Sequence, residues 1–380
     1  MAGTKTTPEE IPLRSDPAKR LRDLLGPKTR KHVDLMEKVK AHYVTTDRDE
    51  RLKTEIEVMI ENAVQRLDPS RPYGADNRRE GTAVAIVAES GAGKTSAMRH
   101  YLKNNPFFPN YGNPDGGCPL ITVGVKSPCN LRNLGMGTLR AAGYLARTEK
   151  RESEAWPMAA YQMQDQEILF VAYEEAQRII QQANRTERGK VIETLAGLMT
   201  DTVWPLHLIL SGLPRLKALF QDSFLEDAKP DSPERKAHIT LKRRTRFVEF
   251  APIDLKADRK DIDSGIEEYA KLGGVSLKLL KEGEMRARLS HAAAYQFGLF
   301  WDLTTLAIDA CLRSGRKEVE LDDYADGYAT RTMEPVELNP FAVDHWNAID
   351  TSIIQRHPED QIDTKPRGKR SKPERRRGDD

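Results

Sequence analysis

The stretch Thr82–Met98, TAVAIVAESGAGKTSAM, decides the expected fold. Its apolar beginning, Ala83–Val87, predicts a buried strand, and the glycine-rich turn that follows ends in Lys94 and Thr95. A strand, a glycine-rich loop and a Lys-Thr pair that opens a helix together form a phosphate-binding loop. We therefore predict a nucleotide site where the strand ends. The alternative is a glycine-rich turn that binds nothing.

Each residue type of this loop suits the phosphates of a nucleotide. Gly91 and Gly93 permit a tight turn that points successive N–H groups at a phosphate. Lys94 is expected to reach the β- and γ-phosphates of ATP, and the Thr95 hydroxyl to bind Mg²⁺. Ala88 replaces the first glycine of the motif and adds one methyl group there. The predicted ATP-binding residues are Glu89, Ser90, Gly91, Ala92, Gly93, Lys94, Thr95 and Ser96.

The composition excludes several classes of protein. The chain has 380 residues, and its 60 Lys and Arg balance 58 Asp and Glu, so the net charge of +2 identifies no partner. Cys118, Cys129 and Cys311 have no CxxC spacing, which argues against a zinc site and a disulfide framework. No apolar run approaches the roughly 18 residues of a membrane span. We expect a soluble protein of the cytoplasm.

The order of elements predicts an α/β fold followed by helices. Strands expected at Ala83–Val87, Pro119–Val125, Glu167–Tyr173, Leu206–Ser211 and Phe247–Phe250 alternate with helices, which indicates a parallel sheet sandwiched by helices. Ligands bind such sheets at the carboxyl ends of the strands. We expect a flexible segment at 1–27, a helical extension and linker at 28–81, the α/β core at 82–254, a helical lid at 255–332 and an extension with a basic disordered tail at 333–380.

Acidic residues follow the third predicted strand, which ends in Tyr173-Glu174-Glu175. In a nucleotide-hydrolysing site one such carboxylate holds Mg²⁺ and the next polarises the attacking water. We assign the metal role to Glu174, where Asp is more usual, and the catalytic base role to Glu175. The alternative is a solvated acidic helix start. Ser211, at the end of the fourth strand, is a candidate for contact with the γ-phosphate or the water; otherwise it is a turn former.

A run of cations, Lys242-Arg243-Arg244-Thr245-Arg246, precedes the last predicted strand. In an oligomeric nucleoside triphosphatase, an arginine just before the last strand can reach the γ-phosphate bound to the neighbouring subunit and stabilise the transition state there. We select Arg246, and Arg243 and Arg244 are the alternatives. The simpler interpretations are a solvated charged face or a nucleic-acid patch.

These motifs together resemble those of the AAA+ ATPases. The resemblance rests on AESGAGKT, YEEAQ, LILSGLPRL and TRFVEFAPI. The resemblance narrows to the TniB/TnsC group of DNA-transposition regulators when three further segments are included: KHVDLMEKVKAHYV, VKSPCNLRNLGMGTLRAAGY and FGLFWDLTTLAIDACLRSG. It covers roughly Lys28–Tyr328. It implies a P-loop NTPase core of the AAA+ type with a small all-α lid.

The resemblance also implies a function. It implies an ATP-dependent ring or helical filament on double-stranded DNA, which links a TniQ-like target-selection protein to a DDE-type transposase. In this family DNA contacts come from the region after the second strand, where this chain carries Lys126, Arg132, Lys150 and Arg151. The alternative for each of these four is plain solvated charge. The basic tail at 365–377 would add nonspecific DNA affinity or dock the transposase.

The chain departs from the family pattern in two places. Glu174 stands where Asp is expected, and the lid helix Gly298–Ala310 carries no arginine where many AAA+ proteins place one that contacts the γ-phosphate. Both departures predict slow hydrolysis, which suits a disassembly switch. Two other functions stay open: a noncatalytic, nucleotide-dependent scaffold on DNA, and an ATPase of the helicase-loader or initiator kind.

Overall fold

A parallel sheet forms the centre of the computed structural model, which describes residues 16–113, 116–144, 148–181, 185–225, 229 and 231–355. Its five strands lie in the order β2-β3-β4-β1-β5, and every neighbouring pair is parallel. The strands are β1 Ala83–Val87, β2 Leu120–Gly124, β3 Phe170–Glu174, β4 His207–Gly212 and β5 Thr245–Glu249. This architecture confirms the predicted α/β fold class.

Helices cover both faces of the sheet, so the central strands are mostly apolar and do not alternate with polar residues. All five residues of β1 are buried. The helices that precede the lid are α1 Pro17–Asp23, α2 Pro27–Ala41, α3 Asp47–Ala63, α4 Lys94–Asn104, α5 Leu131–Ala141, α6 Glu152–Asp165, α7 Arg178–Gln181, α8 Arg185–Thr200 and α9 Pro233–Arg244. Ala83, Ala85 and Val87 pack into one apolar cluster with α5, α6 and α8, whereas Val84 and Ile86 pack into another with α3 and α4.

The region after the sheet is helical and has its own apolar cluster. We call this region the lid; it contains α10 Arg259–Gly273, α11 Gly283–Ala292, α12 Phe297–Arg313 and α13 Leu321–Thr332. The described part of the C-terminal extension packs on the lid, since Phe341 and Ile354 belong to the same apolar cluster. The basic tail and residues 1–15 lie outside the described residues. Within the described part, no helix combines the length and apolar composition needed to cross a bilayer.

The helices α2 and α3 pack on different parts of the molecule. Met36 and Val39 of α2 belong to the apolar cluster of the lid, whereas Leu52 and Ile56 of α3 belong to the cluster under the sheet. An extended connection, residues 42–46, joins them. The connection therefore passes from the lid to the core.

Several elements differ from the sequence prediction. The last strand begins at Thr245 instead of Phe247, because the edge strand β5 leaves polar side chains exposed and so lacks a continuous apolar signal. The third strand runs over Phe170–Glu174 instead of Glu167–Tyr173. Helical spacing of apolar residues in the sequence predicts a helix over Met285–Phe297, but α11 ends at Ala292, because Ala294 and Tyr295 have left-handed backbone with φ of 47° and 58°. The same spacing predicts a helix over Leu277–Gly283, where the structure has a short 3₁₀ helix, Lys278–Lys281.

Candidate nucleotide site

The phosphate loop, Ala88–Thr95, starts where β1 ends and leads into α4. Gly91 and Gly93 have φ of 78° and 94°, left-handed values that a side chain would strain. Ala88 is buried and is not among the residues with positive φ, so its backbone does not require the glycine of the motif. The loop thus has the conformation that directs N–H groups toward a phosphate.

Lys94 is folded back over this loop. Its Nζ donates hydrogen bonds to the carbonyl oxygens of Ala88, at 2.7 Å, and of Glu89, at 2.9 Å. Burial lowers the pKa of Lys94 to about 8, against the opposing effect of the Glu175 and Glu89 carboxylates. The ammonium group is therefore poorly solvated, and phosphate oxygens would be favourable partners for it.

This burial predicts a pH-dependent ATP affinity. Bound phosphates favour the ammonium form, so above pH 8 ATP binding requires proton uptake by Lys94. We expect affinity to fall as pH rises above this value, by up to about tenfold per pH unit. Titration of a fluorescent ATP analogue on both sides of pH 8 measures this slope.

Lys94→Ala provides the comparison. It is expected to bind about 100-fold more weakly, because hydrogen bonds to charged groups contribute roughly 1.5–3 kcal/mol each, and to lose the slope. Lys260→Ala, which removes an exposed lysine of α10, should behave as wild type. An unchanged slope in Lys94→Ala would assign the titration to another group.

Glu174 ends β3 next to the carboxyl end of β4. It lies in register with Ser211, which on its other side is in register with Ile86 of β1. Its Oε1 atom is buried without a hydrogen-bond partner, and its Oε2 atom lies 3.7 Å from Nη2 of Arg99. Burial raises the pKa of Glu174, as does Glu175, while Arg99 opposes the shift. An unpaired buried carboxylate oxygen beside the phosphate loop fits a ligand of Mg²⁺.

The metal would not be held by the protein alone. Among the residues that the structure describes, no three His, Cys, Asp or Glu side chains gather around one point. Mg²⁺ in nucleotide sites typically keeps waters and phosphate oxygens as ligands beside one or two protein groups. Thr95, on the first turn of α4, and Glu174 are the protein groups available here.

Glu175 is held in an unusual backbone conformation, with φ of 59°. Its Oε2 atom accepts a hydrogen bond of 2.7 Å from the side-chain amide of Gln177 and lies 3.9 Å from Nη2 of Arg178. The amide oxygen of Gln177 in turn accepts from the Leu213 N–H at 3.1 Å. Gln177 is 1% exposed, so this amide rigidly joins Glu175 to the end of β4. Sequence analysis missed Gln177, although it ends the YEEAQ motif.

Ser211 completes the group at the carboxyl edge of the sheet. It is 3% exposed, and its carbonyl oxygen accepts from the Ala176 N–H at 2.9 Å. The structure thus brings Lys94, Glu174, Glu175 and Ser211 to one edge. The roles assigned to them remain predictions.

A cavity of about 710 Å³ continues from the phosphate loop between α4 and α12. Its lining includes His42, Val44, Ser96, His100, Gly298 and Trp301. Tyr43 stacks on His100 with ring centroids 4.3 Å apart, and Tyr269 stacks on Trp301 at 4.7 Å. The volume is typical of a ligand site, and aromatic walls suit a nucleobase. Sequence analysis missed this cleft, because three distant segments form it.

The arginine run lies away from this edge. Arg246 is the second residue of β5 and not, as predicted, the residue before the strand; it is in register with Val84 near the amino end of β1. Its Nη1 lies 2.8 Å from Oε2 of Glu55, and Arg244 forms an ion pair with Glu80. Arg243 is exposed and forms no ion pair with any described residue. The run therefore lies away from the phosphate loop of its own chain, and the role of an arginine that acts between subunits remains a prediction.

The four predicted DNA-binding residues lie near the exit of β2 and the starts of α5 and α6. Lys126 and Arg151 are exposed. Arg132 donates to the Lys150 carbonyl at 2.8 Å and pairs with Glu149 at 2.7 Å. Arg132 and Lys150 are therefore neighbours, and the Glu149 carboxylate partly neutralises the charge of Arg132. Their contact with DNA remains a prediction.

The sheet order, the phosphate loop after β1 and the helical lid define the AAA+ P-loop NTPase fold. Residues 77–220 match the family model of the AAA domain. The structure is similar to that of ORC1 from Aeropyrum pernix in complex with DNA, with 12% identity, a TM-score of 0.52, and coverage of 78% of this chain and 72% of that chain. It is also similar to Cdc6p from Pyrobaculum aerophilum, with 12% identity, a TM-score of 0.49, and coverage of 75% and 68%. No curated protein matches the chain. Such low identity establishes a shared fold alone.

Proposed function

We propose that this protein is an ATP-dependent regulator of DNA transposition. It assembles as a ring or filament on double-stranded DNA, links a TniQ-like target-selection protein to a DDE-type transposase, and uses slow ATP hydrolysis to disassemble. The observation that carries the ATPase part is the convergence of Lys94, Glu174, Glu175 and Ser211 at the edge where the phosphate loop lies. The transposition part rests on the sequence resemblance.

The residues of the site have complementary tasks in hydrolysis. The phosphate loop and Lys94 bind the triphosphate, and Thr95 with Glu174 would hold Mg²⁺, which when bound neutralises charge on the phosphates. Glu175 accepts a proton from the attacking water, and Gln177 orients its carboxylate through the 2.7 Å hydrogen bond. Ser211 would contact the γ-phosphate or the water. The Glu175 side chain is 47% exposed, so water can reach its carboxylate.

DNA binding would be electrostatic and independent of sequence. Lys126, Arg132, Lys150 and Arg151 are candidates for phosphate contacts, which position a protein on DNA without reading bases. The ORC1 protein with this fold was solved in complex with DNA, which supports DNA as the ligand. The same likeness favours a second candidate, an initiator-like ATPase. An adjacent transposase gene would favour the transposition regulator.

Fluorescence anisotropy with a labelled duplex of arbitrary sequence tests the DNA part. We expect tight binding with a nonhydrolysable ATP analogue and weak binding with ADP or no nucleotide. Affinity with the analogue should fall by about tenfold or more between about 50 and 200 mM salt, because each phosphate contact releases counterions. Lys126→Ala with Arg151→Ala should reduce the salt slope, whereas Lys260→Ala should not. Equal binding without nucleotide would contradict the proposal.

A further inference from the structure

The lid helix α12 begins directly on the phosphate loop. The Leu299 N–H donates a 3.0 Å hydrogen bond to the Gly91 carbonyl oxygen. The Leu299 side chain is 1% exposed and covers Gly91 so closely that a Cβ on Gly91 would lie 2.3 Å from Leu299 Cγ. A Cβ on Gly298 would lie 2.5 Å from the Gly91 oxygen. The two backbones therefore touch with no room for a methyl group.

The helix itself does not require glycine at position 298. Gly298 is the second residue of α12 and is not among the glycines with positive φ. Alanine at a helical position is normally more favourable than glycine. Close approach to the phosphate loop is thus what excludes a side chain here. Gly283, the first residue of α11 in the same lid, has open space around it.

The turn that carries this contact is fixed from its other side. The Tyr295 carbonyl accepts from the Ile253 N–H at 2.7 Å, which ties the turn to the segment that connects core and lid. Arg48 of α3 donates to the carbonyls of Ala251 and Pro252 at 3.0 and 3.2 Å, and pairs with Asp258 at 2.8 Å. The start of α12 therefore cannot shift without disturbing either the segment that connects core and lid or the phosphate loop.

We propose that Gly298 and Leu299 are positioning residues of the phosphate loop, so that its conformation, and with it nucleotide affinity, depends on the lid. The one arginine of α12, Arg313, lies in the last turn of the helix, where it pairs with Asp309 at 2.8 Å, so the backbone contact at the start of α12 couples the lid to the nucleotide instead. Coupling is reciprocal, so a bound nucleotide stabilises the contact between α12 and the phosphate loop by the same free energy. The inference rests on the proposed nucleotide binding.

A pair of one-methyl substitutions tests the inference. Gly298→Ala is expected to weaken binding of ATP and ADP by about tenfold, because the displaced loop loses about one of its N–H hydrogen bonds to a phosphate oxygen. Gly283→Ala adds the same methyl in open space and should bind as wild type. At saturating ATP the turnover of Gly298→Ala should stay close to that of wild type, so the change lies in KM.

Hydrogen exchange gives a readout that needs no ligand. The amides of the phosphate loop should exchange faster in Gly298→Ala than in Gly283→Ala, with the sheet unchanged. If Gly298→Ala does not fold, a comparison of Leu299→Ala with the conservative Leu299→Met tests the same contact. Only Leu299→Met should then retain wild-type affinity for ATP. Wild-type affinity and exchange in Gly298→Ala would overturn the inference. Failure of the wild type to bind ATP would overturn the proposed function instead, while exchange would still test the contact.

Discussion

Glu175→Gln is expected to lower ATP turnover by about 100-fold or more, because a positioned general base contributes roughly 10²–10⁴-fold. The amide is nearly isosteric with the carboxylate, so the hydrogen bond to Gln177 can persist and ATP should bind with nearly wild-type affinity. Phosphate release under steady-state conditions and equilibrium binding of an ATP analogue measure the two quantities separately.

Glu167→Gln is the matched control. Glu167 is an exposed acid that precedes the same strand, at the end of the sheet away from the phosphate loop. Its loss of charge should leave turnover unchanged. If wild type and Glu175→Gln release phosphate at the same background rate, the protein is a noncatalytic scaffold and Glu175 is not a base.

Arg246→Ala is expected to lower turnover by about 100-fold as well, since a charged donor to the transition state contributes at least that much in comparable sites. The reason differs from that for Glu175. Arg246 lies near the amino end of β5, away from its own phosphate loop, so it can act only on a neighbouring subunit. The ion pair with Glu55 must open for this, and Glu55→Gln should leave turnover intact or raise it.

Mixing two inactive proteins tests action between subunits. Arg246→Ala keeps Glu175, and Glu175→Gln keeps Arg246, so a mixed assembly contains complete sites at some interfaces. Turnover should therefore reappear on mixing, and it should rise with protein concentration. If mixing restores no turnover, and Arg243→Ala instead lowers turnover about 100-fold and is rescued by mixing with Glu175→Gln, then Arg243 is the residue that acts on the neighbouring subunit. Arg243 needs no ion pair to break within the described chain.

Local patterns predicted the parts of the site that are continuous in sequence. The phosphate loop, Glu174-Glu175 and Ser211 each follow an apolar strand, and parallel strands bring their carboxyl ends to one edge. The buried strands β1 and β4 were easy to predict because both faces are covered. The start of the edge strand β5 was missed in the prediction, since the exposed Arg246 interrupts the apolar signal.

Contacts between distant segments could not be read from the sequence. Gln177 is significant because its amide bridges β3 and β4, and Gly298 because it approaches Gly91, more than two hundred residues earlier in the chain. The cleft beside the phosphate loop depends on the connection between α2 and α3 passing from lid to core. Helical periodicity predicted both helices but contains no information on whether each helix packs against the core or against the lid.

Electron microscopy of the full chain with duplex DNA tests the central claim, ATP-dependent assembly on DNA, most directly. With a nonhydrolysable ATP analogue we expect regular rings or helical filaments along the duplex. With ADP, or with Lys94→Ala in the presence of the analogue, we expect bare DNA. Free monomers beside bare DNA in the presence of the analogue, under conditions where the analogue is bound, would contradict the account.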